Sequence, residues 1–176
     1  ESFLKLAPQD DLLAADFFIK TIEGSRDLAI RGMAVRALAR MKSLEVVERL
    51  QKEVAKGRCS VQLVDALYRM RKKGGETAFV AHLKHKEVFH QRTALRGLAY
   101  IKGFGDETLK TVELMLPVAD LQGQRWACCE ALGGSRNKNA VPVLIKALDM
   151  PGTALEARKA LIRLTGKDHQ YSSIAW

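Results

Sequence analysis

The sequence predicts an all-α fold, a single solenoid domain over 1–176 made of about five stacked helix pairs, and three observations predict it. First, a small residue followed by leucine recurs as Ala37-Leu38, Ala66-Leu67, Gly97-Leu98, Ala131-Leu132 and Ala160-Leu161, with successive leucines spaced by 29, 31, 34 and 29 positions. A fixed period of this size is the signature of a repeat array. Second, Ala34, Leu63, Ala94, Cys128 and Ala157 stand four residues before those leucines, and Met41, Met70, Ile101, Ser135 and Leu164 stand three after. Positions −4, −1, 0 and +3 form one face of an α-helix. Third, each such helix is followed by a second amphipathic run, with breakers in between. The composition agrees. In 176 residues, 47% apolar and 6% aromatic, there is room for one repeat array but not for two ordinary domains. Four prolines and few Thr or Tyr disfavour a β-sandwich.

In chain order, residues 9–24, with Leu12, Leu13, Phe17, Phe18 and Ile22, read as a second-type helix without its first partner. Four complete units follow, over about 26–57, 58–86, 87–118 and 120–150. Their second helices are marked by Val46, Val47 and Leu50, then by Phe79, Val80 and Leu83. Leu109, Val112 and Met115 mark the third, and Val141, Leu144, Ile145 and Leu148 the fourth. The breakers are Lys73-Gly74-Gly75, Gly103-Phe104-Gly105, Gly133-Gly134 and Pro151-Gly152. Residues 152–176 read as a last first-type helix with a tail, Tyr171–Trp176, that folds back as a cap, since an exposed solenoid end is costly. The alternative is that the chain is an excerpt of a longer array. Glu1 is not a methionine, so an upstream segment is expected.

The run from Arg125 to Gly133, followed by Asn139 to Leu148, resembles a HEAT-like repeat of the phycobilisome-lyase (PBS lyase) type. The resemblance extends over roughly 26–166 and is weakest in the second unit. The family's arginine seven residues before the leucine is present at Arg31 and Arg125, but Ser60, Gln91 and Ala154 replace it elsewhere. The stretch Leu164 to Asp168 with Trp176 is similar to the ending of many bacterial HEAT-repeat proteins. The resemblance implies a right-handed α-α superhelix whose second helices line the concave side. It implies little about function, because the fold hosts scaffolds, lyases and DNA-binding enzymes alike.

The formal charge of +9 is concentrated. Residues 1–57 and 104–176 are each net +1, whereas 58–103 hold ten Lys and Arg against three acids, net +7. Capping of helix C-termini accounts for part of this, and the remainder predicts an electropositive patch. The candidate partner-binding residues are Arg69, Lys72, Lys73, Lys84, Lys86 and, at the margin, Arg92. Six residues before the leucines, Trp126 and Leu155 offer an apolar contact surface, with Trp126 beside Arg92. Packing against the preceding turn is the plainer reading of that position. Two residues before the leucines, Arg36, Asp65, Arg96, Glu130 and Lys159 alternate in sign, which predicts a ladder of charges pairing between neighbouring first helices.

His82 and His85, three residues apart, could lend two imidazoles with His90, but no nearby cysteine completes a set and Glu87 is the only close carboxylate. No metal site and no cofactor are expected. Cys128 falls on the core stripe, and Cys129 is expected to be partly exposed. Three cysteines make no disulfide framework, so a reducing, cytoplasmic compartment is expected, with a periplasmic one open. No nucleophile triad, phosphate loop or catalytic acid pair emerges. The expected function is a non-enzymatic scaffold that binds another protein with an acidic surface, because a solenoid offers extended surface rather than a deep pocket. The alternatives are a nucleic-acid binder, like the HEAT-like alkylpurine DNA glycosylases, and a bilin-lyase-like subunit.

Overall fold

The computed structural model describes residues 12–41, 43–56, 60–70, 75–101, 103–119 and 121–176. These form α1 (Leu12–Gly24), α2 (Leu28–Leu38), α3 (Leu44–Ala55), α4 (Ser60–Met70), α5 (Glu76–Leu83), α6 (Val88–Ile101), α7 (Asp106–Val118), α8 (Gln122–Gly134), α9 (Val141–Leu148) and α10 (Ala154–Thr165), with one 3₁₀ turn at Lys138–Ala140. No strand occurs among the described residues. None of the described helices is long and apolar enough to cross a membrane.

The repeated stripe is the core. The leucines at 38, 67, 98, 132 and 161, the small residues before them and the residues four before are all buried. Small side chains at −1, and at −4 everywhere but Leu63, leave little bulk between neighbouring helix axes, so the helices approach closely. Helix starts follow local chemistry. Asp27 caps α2 by accepting from the Ala29 amide at 2.7 Å, and Ser43 caps α3 by accepting from Glu45 at 3.2 Å. Pro142 sits in the first turn of α9, where no amide hydrogen is missed. Gly166, with φ 72°, closes α10 in the left-handed conformation.

The helices fall into two compact units, Glu1–His82 and Leu83–Trp176. In the first, α2 packs on α1 and α4, and α3 packs on α4 and α1. The buried Glu53 of α3 accepts from Arg49 and from Lys56, and Arg49 also donates to Asp16 of α1 at 2.7 Å. In the second unit, α8 is central and touches α6, α7, α9 and α10. Here α6, α8 and α10 stack as first helices, while α7 and α9 are the second helices, the arrangement of a helical-repeat solenoid. Thr153, fully buried, donates its hydroxyl to the Ala147 carbonyl at 2.5 Å and joins α9 to α10.

Three local readings are revised. Gly133 and Gly134 do not break α8 but lie inside it. Leu12, Leu13 and Phe17 of α1 are exposed, and Ala15, Phe18, Ile19 and Ile22 are its buried face. Asp65 pairs with Arg69 one turn on, at 2.9 Å, and not with the neighbouring first helix. The tail does fold back. Arg158 holds Asp168 with two hydrogen bonds of 2.9 and 2.6 Å and lies over the Tyr171 ring, and Trp176 packs edge-on against His169.

Candidate functional site

The expected basic patch divides. Arg69 is exposed but bound to Asp65. Lys72 and Lys73 lie outside the described residues. Lys84 and Lys86 are exposed on the turn between α5 and α6, and neither forms an ion pair with the described residues. Arg92 is half-buried. Its guanidinium lies over the first turn of α8, 3.1 Å from where a Cβ on Gly123 would stand. Trp126 is 43% and Leu155 51% exposed. The indole N–H of Trp126 donates to the Gly152 carbonyl at 2.6 Å, on the turn that enters α10.

A concavity lies at the C-terminal ends of α6, α8 and α10. It has a volume of about 370 Å³ and is lined by Ala99, Tyr100, Glu130, Gly133, Gly134, Arg136 and Arg163. The floor exists because two residues of α8 have no side chain. A Cβ on Gly133 would come within 2.8 Å of the Ala160 Cα, and one on Gly134 within 2.7 Å of the Ala99 Cα. Arg136 reaches the rim from a left-handed backbone position, φ 56°, just past the helix end. Arg136 and Arg163 are exposed, and neither pairs with an acid among the described residues. A forked guanidinium presents paired donors to a carboxylate or phosphate.

The turn before α6 gathers a second group. His85 and His90 stack with ring centroids 3.8 Å apart, and His90 Nε2 stands 3.3 Å from a Glu87 carboxylate oxygen. His82 is buried on α5 and is not part of this group. Burial first, then the neighbouring His85, hold His90 below the ordinary histidine range, with Glu87 acting against them.

Residues 124–150 match the PBS lyase HEAT-like repeat family. The chain carries a HEAT-like repeat. No curated protein sequence matches the chain. The matched repeat is α8 with α9, and α8 supplies Glu130, Gly133 and Gly134 to the concavity.

Within this HEAT-like repeat, Cys128 and Cys129 are both free and fully buried, so Cys129 is not at the surface as expected. With partner helices on several sides of α8, two successive positions about 100° apart both face protein. Burial pushes both thiols up to about 12. That is opposite to the electropositive, low-pKa setting a nucleophilic cysteine needs.

The sequence reading passed over Arg136 and Arg163, and counted Tyr100 only among the few exposed aromatics. Its available signal was Gly133-Gly134 followed by Ser135-Arg136, which is a floor followed by a cation. Glu130 was placed correctly on the outer face but assigned to a charge ladder.

Proposed function

We propose that this protein is a non-enzymatic scaffold whose helical repeats bind an acidic segment of a partner protein. The observation that carries the reading is the pair Arg136 and Arg163, two cations that form no ion pair among the described residues, on the rim of a shaped concavity. A partner Asp or Glu seated between them takes up their forked donors, and Tyr100 offers an aromatic face beside them. The helix C-termini below contribute about half a negative charge each, screened at an exposed site. Glu130 in the wall adds a further negative charge, so the directed guanidinium hydrogen bonds, and not the net charge of the concavity, would hold the acid.

Lys84 and Lys86 lie at the other end of α6, about 20 Å away along a 14-residue helix. With Arg92 they act through long-range attraction, raising the association rate more than they slow dissociation, while Arg69, Lys72 and Lys73 of the first unit add to the chain's overall positive charge. Trp126 and Leu155 add apolar contact.

The test is binding of a fluorescent glutamate-rich peptide, and of a DNA duplex of equal charge, to wild type and to Arg136→Ser with Arg163→Ser. Selective binding of the peptide, lost in the double variant, supports the reading. A preference for the duplex with a steep salt dependence replaces it with nucleic-acid binding. Equal peptide binding by both proteins overturns the concavity as the site.

A further inference from the structure

We propose that His85, Glu87 and His90 form a binding site for a divalent transition metal, with Zn²⁺ the best match. One donor atom from each of the three residues lies within 4.8 Å of the other two. His90 Nε2 and Glu87 Oε2 are already 3.3 Å apart. Two donors, each about 2.1 Å from a zinc ion and at a tetrahedral angle, stand about 3.4 Å apart, so the spacing of this pair matches a shared ion. The third donor lies within 4.8 Å of the other two and closes in when the His85 ring turns out of its stack on His90, where the planes are now 27° apart. His85 Nδ1 accepts the Glu87 amide at 3.1 Å, so that nitrogen carries a lone pair and not a proton. If the ion takes this nitrogen, metal binding exchanges this hydrogen bond for a metal–nitrogen bond. The freed amide belongs to an exposed residue and passes to water.

The backbone beneath the ligands is held on both sides. The Glu87 carbonyl accepts from the His90 and Gln91 amides at 3.1 and 3.4 Å, which fixes the first turn of α6 and places His90 three residues past Glu87. Gln91 reaches back with its side-chain amide to the His85 carbonyl at 2.6 Å, and Gln124 of α8 in turn donates to the Gln91 side-chain oxygen. Support of this kind behind the ligands is what a metal site needs. The His90 side chain is only 11% exposed, while that of Glu87 is 62% exposed, so the ion would sit at a half-open turn with water completing its shell. Two imidazoles and one carboxylate suit Zn²⁺ and its neighbours, and not Mg²⁺ or Ca²⁺, which take oxygen shells. A bound ion would clip the 84–87 turn to the first turn of α6.

The test uses the full chain and the metals alone. Zn²⁺ is titrated by calorimetry, and Co²⁺ serves as the absorption probe. We expect one saturable Zn²⁺ site per chain, imidazole-type Co²⁺ ligand-field bands, and a zinc-dependent rise in the unfolding midpoint. His85→Ala and Glu87→Gln should each weaken Zn²⁺ by about tenfold or more. His169→Ala, on the tail, should bind like wild type. Glu87 is exposed, so Glu87→Gln keeps the fold even if His85→Ala does not. Absence of saturable binding by wild type overturns the site, as does wild-type affinity in either His85→Ala or Glu87→Gln. Loss of binding on His169→Ala places the ion elsewhere and overturns it too.

Discussion

Gly134 of α8 meets Ala99 of α6 backbone to backbone, with the position of a missing Cβ only 2.7 Å from the Ala99 Cα. Neither side can yield by rotating a side chain, because the contact is main chain. Gly134→Ala should therefore force α6 and α8 apart and cost about 1–3 kcal/mol. Thermal unfolding checks this, at about 2–4 °C per kcal/mol. An unchanged melting temperature would show that the two helices are farther apart than this.

Arg136→Gly separates stability from binding. The left-handed backbone at φ 56° suits glycine better than arginine, so the variant should be as stable as wild type or more stable, by up to about 1 kcal/mol. It should nevertheless bind the acidic peptide more weakly. Denaturant unfolding and peptide titration on the same sample decide. Unweakened binding removes Arg136 from the site.

Glu53 should make the first unit sensitive to acid. Its side chain is 5% exposed, and the hydrogen bond from Lys56, followed by that from Arg49, holds its carboxyl below the ordinary value of 4.5 against the opposing effect of burial. A depressed folded pKa means that stability is fully present above the ordinary value and is lost as the pH falls through the folded one. Glu53→Gln should cost about 1–2 kcal/mol near neutrality and nothing once wild-type Glu53 is protonated. Denaturant midpoints of the two proteins should converge on acidification; parallel curves would mean the carboxylate is not coupled to folding.

The tail should hold down to acidic pH. Two hydrogen bonds from Arg158, then the Gln170 amide, hold Asp168 at about 2, against an ordinary 3.8. By the same sign, docking is at full strength above the ordinary value and fails only as the pH approaches about 2. With Trp126→Phe as background, Trp176 is the remaining tryptophan, and its emission reports the tail. Arg158→Ala in that background should free the tail at neutral pH. A neutral-pH spectrum identical to the parent would show that other contacts hold it.

The repeat itself was legible because it is periodic. Every −4, −1 and 0 residue of the five stripes is buried, from Ala34 to Leu161. Contacts between units of the period were not legible. Gly133 and Gly134 look like a turn in one dimension, and only Ala160 and Ala99, far away in sequence, show that the missing side chains serve close approach. Asp65 was correctly placed on the outer face but assigned the wrong partner, since Arg69 one turn away is about 5–6 Å distant and a neighbouring helix about 10 Å. The His85–Glu87–His90 group was read by helical spacing from His82, whereas a turn brings its members together. Cys129 was read from its own helix alone, without the neighbours that cover it.

The adjacent buried thiols of α8 also provide a clock. In a helix their side chains diverge by about 100°, so they stay unbonded to each other. With pKa values of about 12, only on the order of one thiolate in 10⁵ is present at pH 7, and each is walled in by neighbouring helices. An alkylating reagent can reach them only when α8 comes away from those neighbours. With the third cysteine of the sequence removed as Cys59→Ser, the rate at which mass is gained at Cys128 and Cys129 therefore counts how often the centre of the second unit opens, molecule by molecule, under conditions where nearly every chain is folded.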